Sequence, residues 1–397
     1  MPFDAAIVGA SIAGLYTGLS LARAGWSVCI VDRRQEIGLP VRCGEATGSR
    51  AELARFVDVD ESWIARDIVG LALHVNDGFA MHRDVPHAGV VLHRDKFEQA
   101  LAQRATAAGA CIRLSTTVSA LERTESSVRG VRLDSGEVVE ARLVIGADGA
   151  ESMVGRWAGI TRPLKLAEAY SAAQYRMRTG FCNDGRLHFF VGSRTIPRGY
   201  LWVFPKGNGE VSVGAGIYGP RAGEPTAHGY LTRFIDAHLP GVARDRLITG
   251  CVPLAACPPK LHRDNVVLVG DAARQCNPFT AGGIMNTLEA ADLLARQLVR
   301  AGSRGVHGAS SEEYALRAYS RRWSGRPRFE QNVFVVFMDM MQTSTDRDIE
   351  HGARTVDRIF NRPIDRSHPF RVPVWALARL ALVFLPKVVR RIPLLFG

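Results

Sequence analysis

Three short, wholly apolar runs, residues 5–8, 143–145 and 266–269, each lead into a glycine-bearing turn. Uninterrupted apolar runs of this length suit strands buried on both faces, as in a parallel sheet. After the first run, residues 9–14 read Gly-Ala-Ser-Ile-Ala-Gly, and residues 15–24 have helical spacing closed by Gly25. A second strand at 27–31 follows, with Asp32 at its tip, so the first 32 residues spell a strand–helix–strand unit. Residues 90–93 read as a strand that runs into a helix at 95–108, with Arg94 at the junction. Helices at 152–158 and 284–301 follow the later two apolar runs. Between 166 and 257 the pattern changes to alternation, which predicts strands at 170–177, 186–191, 200–204 and 210–217 and a helix at 227–238. Helical spacing returns from 311 to 360.

This order predicts an α/β chain, α+β overall. A discontinuous Rossmann-like nucleotide-binding domain would take residues 1–70, 90–165 and 258–325. A substrate-binding sheet domain would be inserted as 71–89 and 166–257. A helical C-terminal region, 326–397, would end in a basic amphipathic tail.

The opening unit carries its own chemistry. Gly9 permits the tight turn out of the strand, and Gly14 lets the helix lie close to the sheet. Free N–H groups at the helix start, with the helix dipole behind them, suit a pyrophosphate. Asp32 is placed to accept a ribose hydroxyl. Ser11 stands where this pattern usually has its second glycine, and it is small enough to admit a phosphate. Arg33 and Arg34 suit either a ribose phosphate or a solvated loop. The turns at Asp148-Gly149 and Gly270-Asp271 repeat the strand-tip aspartate, and Gly282-Gly283-Ile284 opens a helix whose N–H groups can meet a ring oxygen.

Composition narrows the partners. The net charge of +11 calls for something anionic, a membrane face or a nucleic acid. In residues 361–397, Arg362, Arg366, Arg371, Arg379, Lys387, Arg390 and Arg391 face one acid, Asp365, and residues 374–384 are apolar save Arg379. That segment reads as a short amphipathic helix, lying at an interface or packed on the protein. No nucleic-acid signature accompanies it, so no nucleic acid is expected. Seven scattered cysteines without a CxxC pair argue for a reducing compartment and against a cluster or a structural zinc. His74, His82, His87 and His93 lack metal-ligand spacing and read as surface or packing residues, so no metal is expected. With no leader and no long apolar run, the expectation is a cytoplasmic protein, peripheral at most to a membrane.

Gly9–Gly14, Asp148-Gly149 and Gly270-Asp271 together resemble the ADP-binding turn, the DG motif and the GD motif of the p-hydroxybenzoate-hydroxylase-type flavoprotein superfamily. Arg94 matches the arginine that approaches the cofactor there. The resemblance spans roughly residues 3 to 320 and implies FAD as the resident cofactor. Within it, Pro197 to Pro205 resembles the PxxYxWxFP signature of the geranylgeranyl reductase family, with Tyr200, Trp202 and Phe204 on one strand face. Val41-Arg42-Cys43-Gly44-Glu45 resembles that family's CxGE loop beside the flavin. The cofactor-binding residues so implied are Gly9, Ser11, Gly14, Asp32, Arg33, Arg42, Cys43, Gly44, Arg94, Val118, Asp148, Gly149, Gly270, Asp271, Gly282, Gly283, Ile284 and Asn286. Cys43, Glu45, Tyr200 and Trp202 are the catalytic candidates, the first three as proton donors.

The function this implies is saturation of prenyl-lipid C=C bonds by hydride from reduced flavin, with NAD(P)H or ferredoxin as the external donor. The alternative is an FAD-dependent monooxygenase of hydroxylase or halogenase type. A halogenase would carry a WxWxIP-like string and a matching lysine. Residues 200–205 depart from the string, and Lys96 and Lys165, the lysines before residue 200, have no such context. A quinone-directed electron-transfer flavoprotein would need a cysteine-held cluster that this spacing does not supply.

Overall fold

The computed structural model describes residues 1–76, 78–125, 127–302 and 309–360. The expected interfacial helix at 374–384 lies outside the described residues. The chain forms two compact units: Met1–Val41, Arg94–Lys165 and Val252–Gln331 make the first, and Arg42–His93, Leu166–Cys251 and Asn332–Gly397 the second.

The first unit is built on a sheet whose strands lie in the order His262–Arg263, Val266–Leu268, Val138–Gly146, Phe3–Val8, Val28–Val31 and Cys111–Arg113. Val138–Gly146, Phe3–Val8, Val28–Val31 and Cys111–Arg113 run parallel, and Val266–Leu268 joins them in the same direction. Val118–Arg123 and Val128–Leu133 add an antiparallel extension to Val138–Gly146. Ala5 to Ile7 and Leu143 to Ile145 have no exposure, as expected where helices cover a parallel sheet. The helix Ile12–Arg23 packs against Arg94–Ala107 and Ile284–Gly302. Gly25 follows it at φ +84°, a left-handed stop that a side chain would resist.

The second unit holds an eight-stranded sheet in the order Ile248–Pro253, Ala169–Arg178, Glu210–Tyr218, Ile196–Gly207, Arg186–Gly192, Ile64–Val75, Phe79–Leu92 and Ala46–Thr47. Alternation along Ile196–Gly207 sends Leu201 and Val203 to one face and Tyr200, Trp202 and Phe204 to the other. The first face is covered by the helix Ala227–His238 through Tyr230, Leu231, Phe234 and Ile235. The second carries a smaller cluster in which Trp202 and Phe204 meet Ile68, Val91 and Leu187.

Two boundaries differ from the expectation. The first unit leaves its opening segment at Val41, so residues 42–70 fold with the second sheet. The reason is the long hairpin Ile64–Val75 and Phe79–Leu92, whose twelve- and fourteen-residue strands extend that sheet. The helix Arg326–Gln342 begins in the first unit and passes into the second at Asn332, so no boundary falls at residue 326.

Candidate active site

In the first unit the glycine turn is shaped by close backbone approaches. Gly9 adopts φ +107°, and a Cβ there would stand 2.3 Å from the Ala147 carbonyl oxygen. A Cβ on Gly14 would stand 1.9 Å from the Gly9 carbonyl oxygen. Asp32 Oδ2 accepts from the Ala10 N–H at 2.6 Å and so ties the turn to the tip of the second strand. Ser11, the helix N-cap, makes no side-chain cap. Its hydroxyl instead donates to Glu98 Oε1 at 2.6 Å and accepts from Arg94 Nη2 at 3.0 Å. The first-turn N–H groups of this helix are therefore left for an anion, and serine in place of glycine links the turn to the Arg94–Glu98 pair.

Of the two arginines after Asp32, Arg33 is exposed, and Arg34 makes the contacts. Arg34 Nη2 lies 3.0 Å from Asp32 Oδ2, and its Nη1 lies 3.4 Å from Glu98 Oε2. Burial raises the Asp32 carboxyl pKa, but the hydrogen bonds and charge of Arg34 outweigh it and hold Asp32 below the ordinary aspartate value. Sequence reading named Arg33; the residue that orders this strand tip is Arg34, and two adjacent arginines in a loop gave no means of choosing between them.

The later turns differ from each other. Asp148 Oδ1 accepts from Ser152 Oγ at 2.6 Å and Oδ2 from the Val154 N–H at 3.0 Å, so its carboxylate caps the Met153–Trp157 helix. Asp271 is not used in this way. Its side chain accepts no hydrogen bond from the described residues, and a Cβ on Gly283 would meet its Oδ1 at 3.6 Å. Desolvation raises the Asp271 carboxyl, and the charge of Arg94 partly opposes this. Gly270 at φ +69° is held by Gln275, whose Oε1 accepts from the Gly270 N–H at 2.7 Å and whose Nε2 donates to the Tyr319 hydroxyl at 2.8 Å. Gly282, Gly283, Ile284 and Asn286 form the entry to the Ile284–Gly302 helix. An open helix start, a strand-tip acid and a recessed acid with no hydrogen-bond donor among the described residues are what a dinucleotide with a polyol arm requires. Gly149, at φ +84°, completes the turn after Asp148, and Val118 begins the antiparallel extension, paired with Leu133.

In the second unit the aromatic face is continuous. Tyr200 and Trp202 rings lie 5.9 Å apart, Trp202 and Phe204 6.2 Å, and Phe189 sits edge-on to Phe204 at 5.2 Å and to Tyr200 at 5.6 Å. Glycines on the neighbouring Glu210–Tyr218 strand make room for the rings. A Cβ on Gly214 would stand 2.1 Å from Trp202 Cζ2, and one on Gly216 would stand 2.0 Å from Tyr170 Cε1. Trp202 Nε1 donates to Ser212 Oγ at 3.3 Å.

The Cys43-Gly44-Glu45 loop lies on this face: a Cβ on Gly44 would meet Phe204 Cε2 at 3.1 Å and Trp202 Nε1 at 3.2 Å. Glu45 holds the loop down. It is a non-glycine residue at φ +68°, its N–H donates to Cys43 Sγ at 3.2 Å, and its carbonyl accepts from the Leu92 N–H at 3.0 Å. Its wholly buried carboxylate meets Lys206 Nζ at 2.7 Å and Arg176 Nη2 at 3.3 Å. Lys206, itself fully buried, also donates to the Leu92 carbonyl at 2.7 Å. This carboxylate is shared by two cations, which pins the loop to the second sheet. Lys206 and Arg176 were missed because nothing in a sequence links them to a residue 161 or 131 positions away. Arg42 is exposed, and Cys43 is partly buried. Burial pushes the Tyr200 hydroxyl pKa up, with the Cys43 charge acting in the same direction.

Two family models match the chain. A model of an FAD binding domain matches residues 3–175, and a model of the geranylgeranyl reductase catalytic domain matches residues 168–253. The chain is 35% identical over 364 residues to a digeranylgeranylglycerophospholipid reductase of Methanosarcina mazei, covering 89% of this chain and 88% of that one. It is 38% identical over 333 residues to a protein of the same name from Methanothrix thermoacetophila, covering 81% and 83%. Among solved structures, a geranylgeranyl bacteriochlorophyll reductase-like protein from Thermoplasma acidophilum superposes with a TM-score of 0.84 at 27% identity over 99% of each chain. The chain belongs to the geranylgeranyl reductase family of FAD-dependent oxidoreductases.

Proposed function

We propose that this enzyme saturates C=C bonds in the prenyl chains of a lipid, with a digeranylgeranyl glycerophospholipid or an isoprenoid quinone as substrate. The observation that carries the reading is the aromatic face of Tyr200, Trp202, Phe204 and Phe189, with the Cys43-Gly44 loop fixed on it. A long, floppy hydrocarbon is ordered by flat apolar surface, and each immobilised bond must be offset by burial. The names of the archaeal relatives support the same class of substrate. The monooxygenase alternative has no comparable support, because the matched catalytic-domain model covers the aromatic strand itself.

Reduction of an alkene needs a hydride at one carbon and a proton at the other. FAD, when bound and reduced, supplies the hydride. Gly9, Ser11, Gly14 and Arg94 would hold its phosphates, Asp32 its adenosine ribose, Asp271 its ribityl arm, and Gly282-Gly283 its ring. Asp148 would shape the turn rather than touch the cofactor. In the second unit Cys43 would give the proton. Its sulfur already accepts the Glu45 N–H, a contact that remains available once the proton has left. Tyr200 is the other candidate, and Glu45 is the anchor of the loop. NAD(P)H or ferredoxin would re-reduce the flavin. The basic segment 361–397 would bring the enzyme to anionic bilayers where such lipids reside. Among the described residues no helix is long and apolar enough to cross a membrane.

The test is product analysis. Dithionite-reduced protein mixed anaerobically with digeranylgeranyl phospholipid should yield product heavier by two hydrogens per reduced bond. Unchanged lipid, with oxygen-dependent hydroxylation of a small aromatic instead, would defeat the proposal. Gly214→Ala extends the test to the aromatic face. The new methyl must push Trp202 off its seat, so turnover should fall on the order of tenfold to a hundredfold while flavin content per chain stays constant. Full turnover by this variant would show that the Trp202 position does not matter.

A further inference from the structure

The Arg186–Gly192 strand carries a second polar group on the face opposite the aromatic stripe. Phe189 packs with the stripe, whereas Phe190 packs against Phe234 of the covering helix at 4.8 Å, and His188 shares the side of Phe190. His188 Nδ1 lies 3.0 Å from Nε2 of His74 on the adjacent Ile64–Val75 strand, and the two rings stack at 5.3 Å. The turn before Arg186 brings Cys182 to them. Ligand atoms of His74, Cys182 and His188 all lie within 4.8 Å of one another. Asp184, in the same turn, accepts from His188 Nε2 at 2.8 Å.

We propose that His74 Nε2, His188 Nδ1 and Cys182 Sγ form a binding site for a zinc-class divalent ion, which ties the turn at 179–185 to two strands of the second sheet. Two imidazoles and a thiolate are the donor set such ions prefer. A tetrahedral ion with bonds of about 2.0–2.3 Å spaces its ligands roughly 3.3–3.8 Å apart, so the three atoms need only a small adjustment. Asp184 supplies the carboxylate–histidine contact common behind metal-bound imidazoles. An ionised carboxylate only accepts, so His188 carries its proton on Nε2 and turns its Nδ1 lone pair toward His74 and Cys182.

An incoming ion would displace the proton of the Cys182 thiol. Arg186 pairs with Asp184 and keeps that acid ionised, and His82 and His238 stand close by. Three protein ligands leave a fourth position for water. The site lies in the second unit and does not depend on the flavin reading.

Full-length, FAD-loaded protein cleared of metal with a chelator should be titrated with Co2+ alone. The proposal expects saturation at one equivalent, with a thiolate-to-cobalt charge-transfer band, and a higher thermal midpoint when Zn2+ replaces Co2+. Cys182→Ser, a nearly isosteric change, should abolish the band and weaken binding at least about tenfold with flavin content unchanged. His74→Gln should weaken binding similarly. Absence of saturable Co2+ uptake, or an unchanged spectrum and affinity in Cys182→Ser, would overturn the proposal.

Discussion

Lys206→Met is expected to cost about 3–5 kcal/mol of stability, the largest single effect away from the cofactor. Lys206 and Glu45 have no side-chain exposure, and their charged atoms meet at 2.7 Å. Removing the lysine takes the shorter of two charge contacts from a desolvated carboxylate that still meets Arg176 at 3.3 Å. The Leu92 carbonyl at the end of the long hairpin loses its donor at the same time. A methionine fills the space of the alkyl stem, so the loss reports the charge rather than a cavity. The check is the denaturant midpoint of single and double variants. Glu45→Gln together with Lys206→Met should recover much of the loss, because the stranded charge is gone. A Lys206→Met protein as stable as its parent would show that Glu45 does not depend on this lysine.

Gly14→Ala should give folded or partly folded protein that purifies without flavin colour. Its methyl would stand 1.9 Å from the Gly9 carbonyl oxygen, and that neighbour is backbone, so it cannot rotate away. Either the helix retreats from the strand or the turn opens, and both move the N–H groups that would meet a pyrophosphate. The comparison is Gly25→Ala at the other end of the same helix. Gly25 has φ +84°, but a methyl added there would have nothing within 4 Å, so that change should cost about 1 kcal/mol and leave flavin content intact. The ratio of flavin absorbance to protein absorbance separates the two outcomes. Equal colour in both variants would mean that the close approach at Gly14 does not shape the cofactor site.

The parts of the fold set by local chemistry were readable from the chain. The opening strand–helix–strand unit, the aromatic strand around Trp202 and the helix Ala227–His238 follow from apolar period and glycine stops. The hairpin Ile64–Val75 and Phe79–Leu92 was not, because the outer half of its second strand alternates exposed Ala80, His82, Asp84 and Pro86 with partly exposed residues and offers no buried stripe. That one omission moved the boundary of the first unit from Val41 to about residue 70. The site divided in the same way. Gly9, Gly14, Asp32 and Cys43 belong to short motifs and could be named. Lys206, Arg176 and the His74–Cys182–His188 group exist only through pairings across the sheet, where no spacing rule applies.

The central claim is that reduced flavin in this protein gives its electrons to a prenyl double bond. Rapid anaerobic mixing of the fully reduced protein with digeranylgeranyl phospholipid in micelles measures this directly through the return of oxidised-flavin absorbance. The account predicts reoxidation that saturates with lipid concentration and slows in Gly214→Ala. Flavin that stays reduced until oxygen is admitted, whatever the lipid concentration, would contradict it.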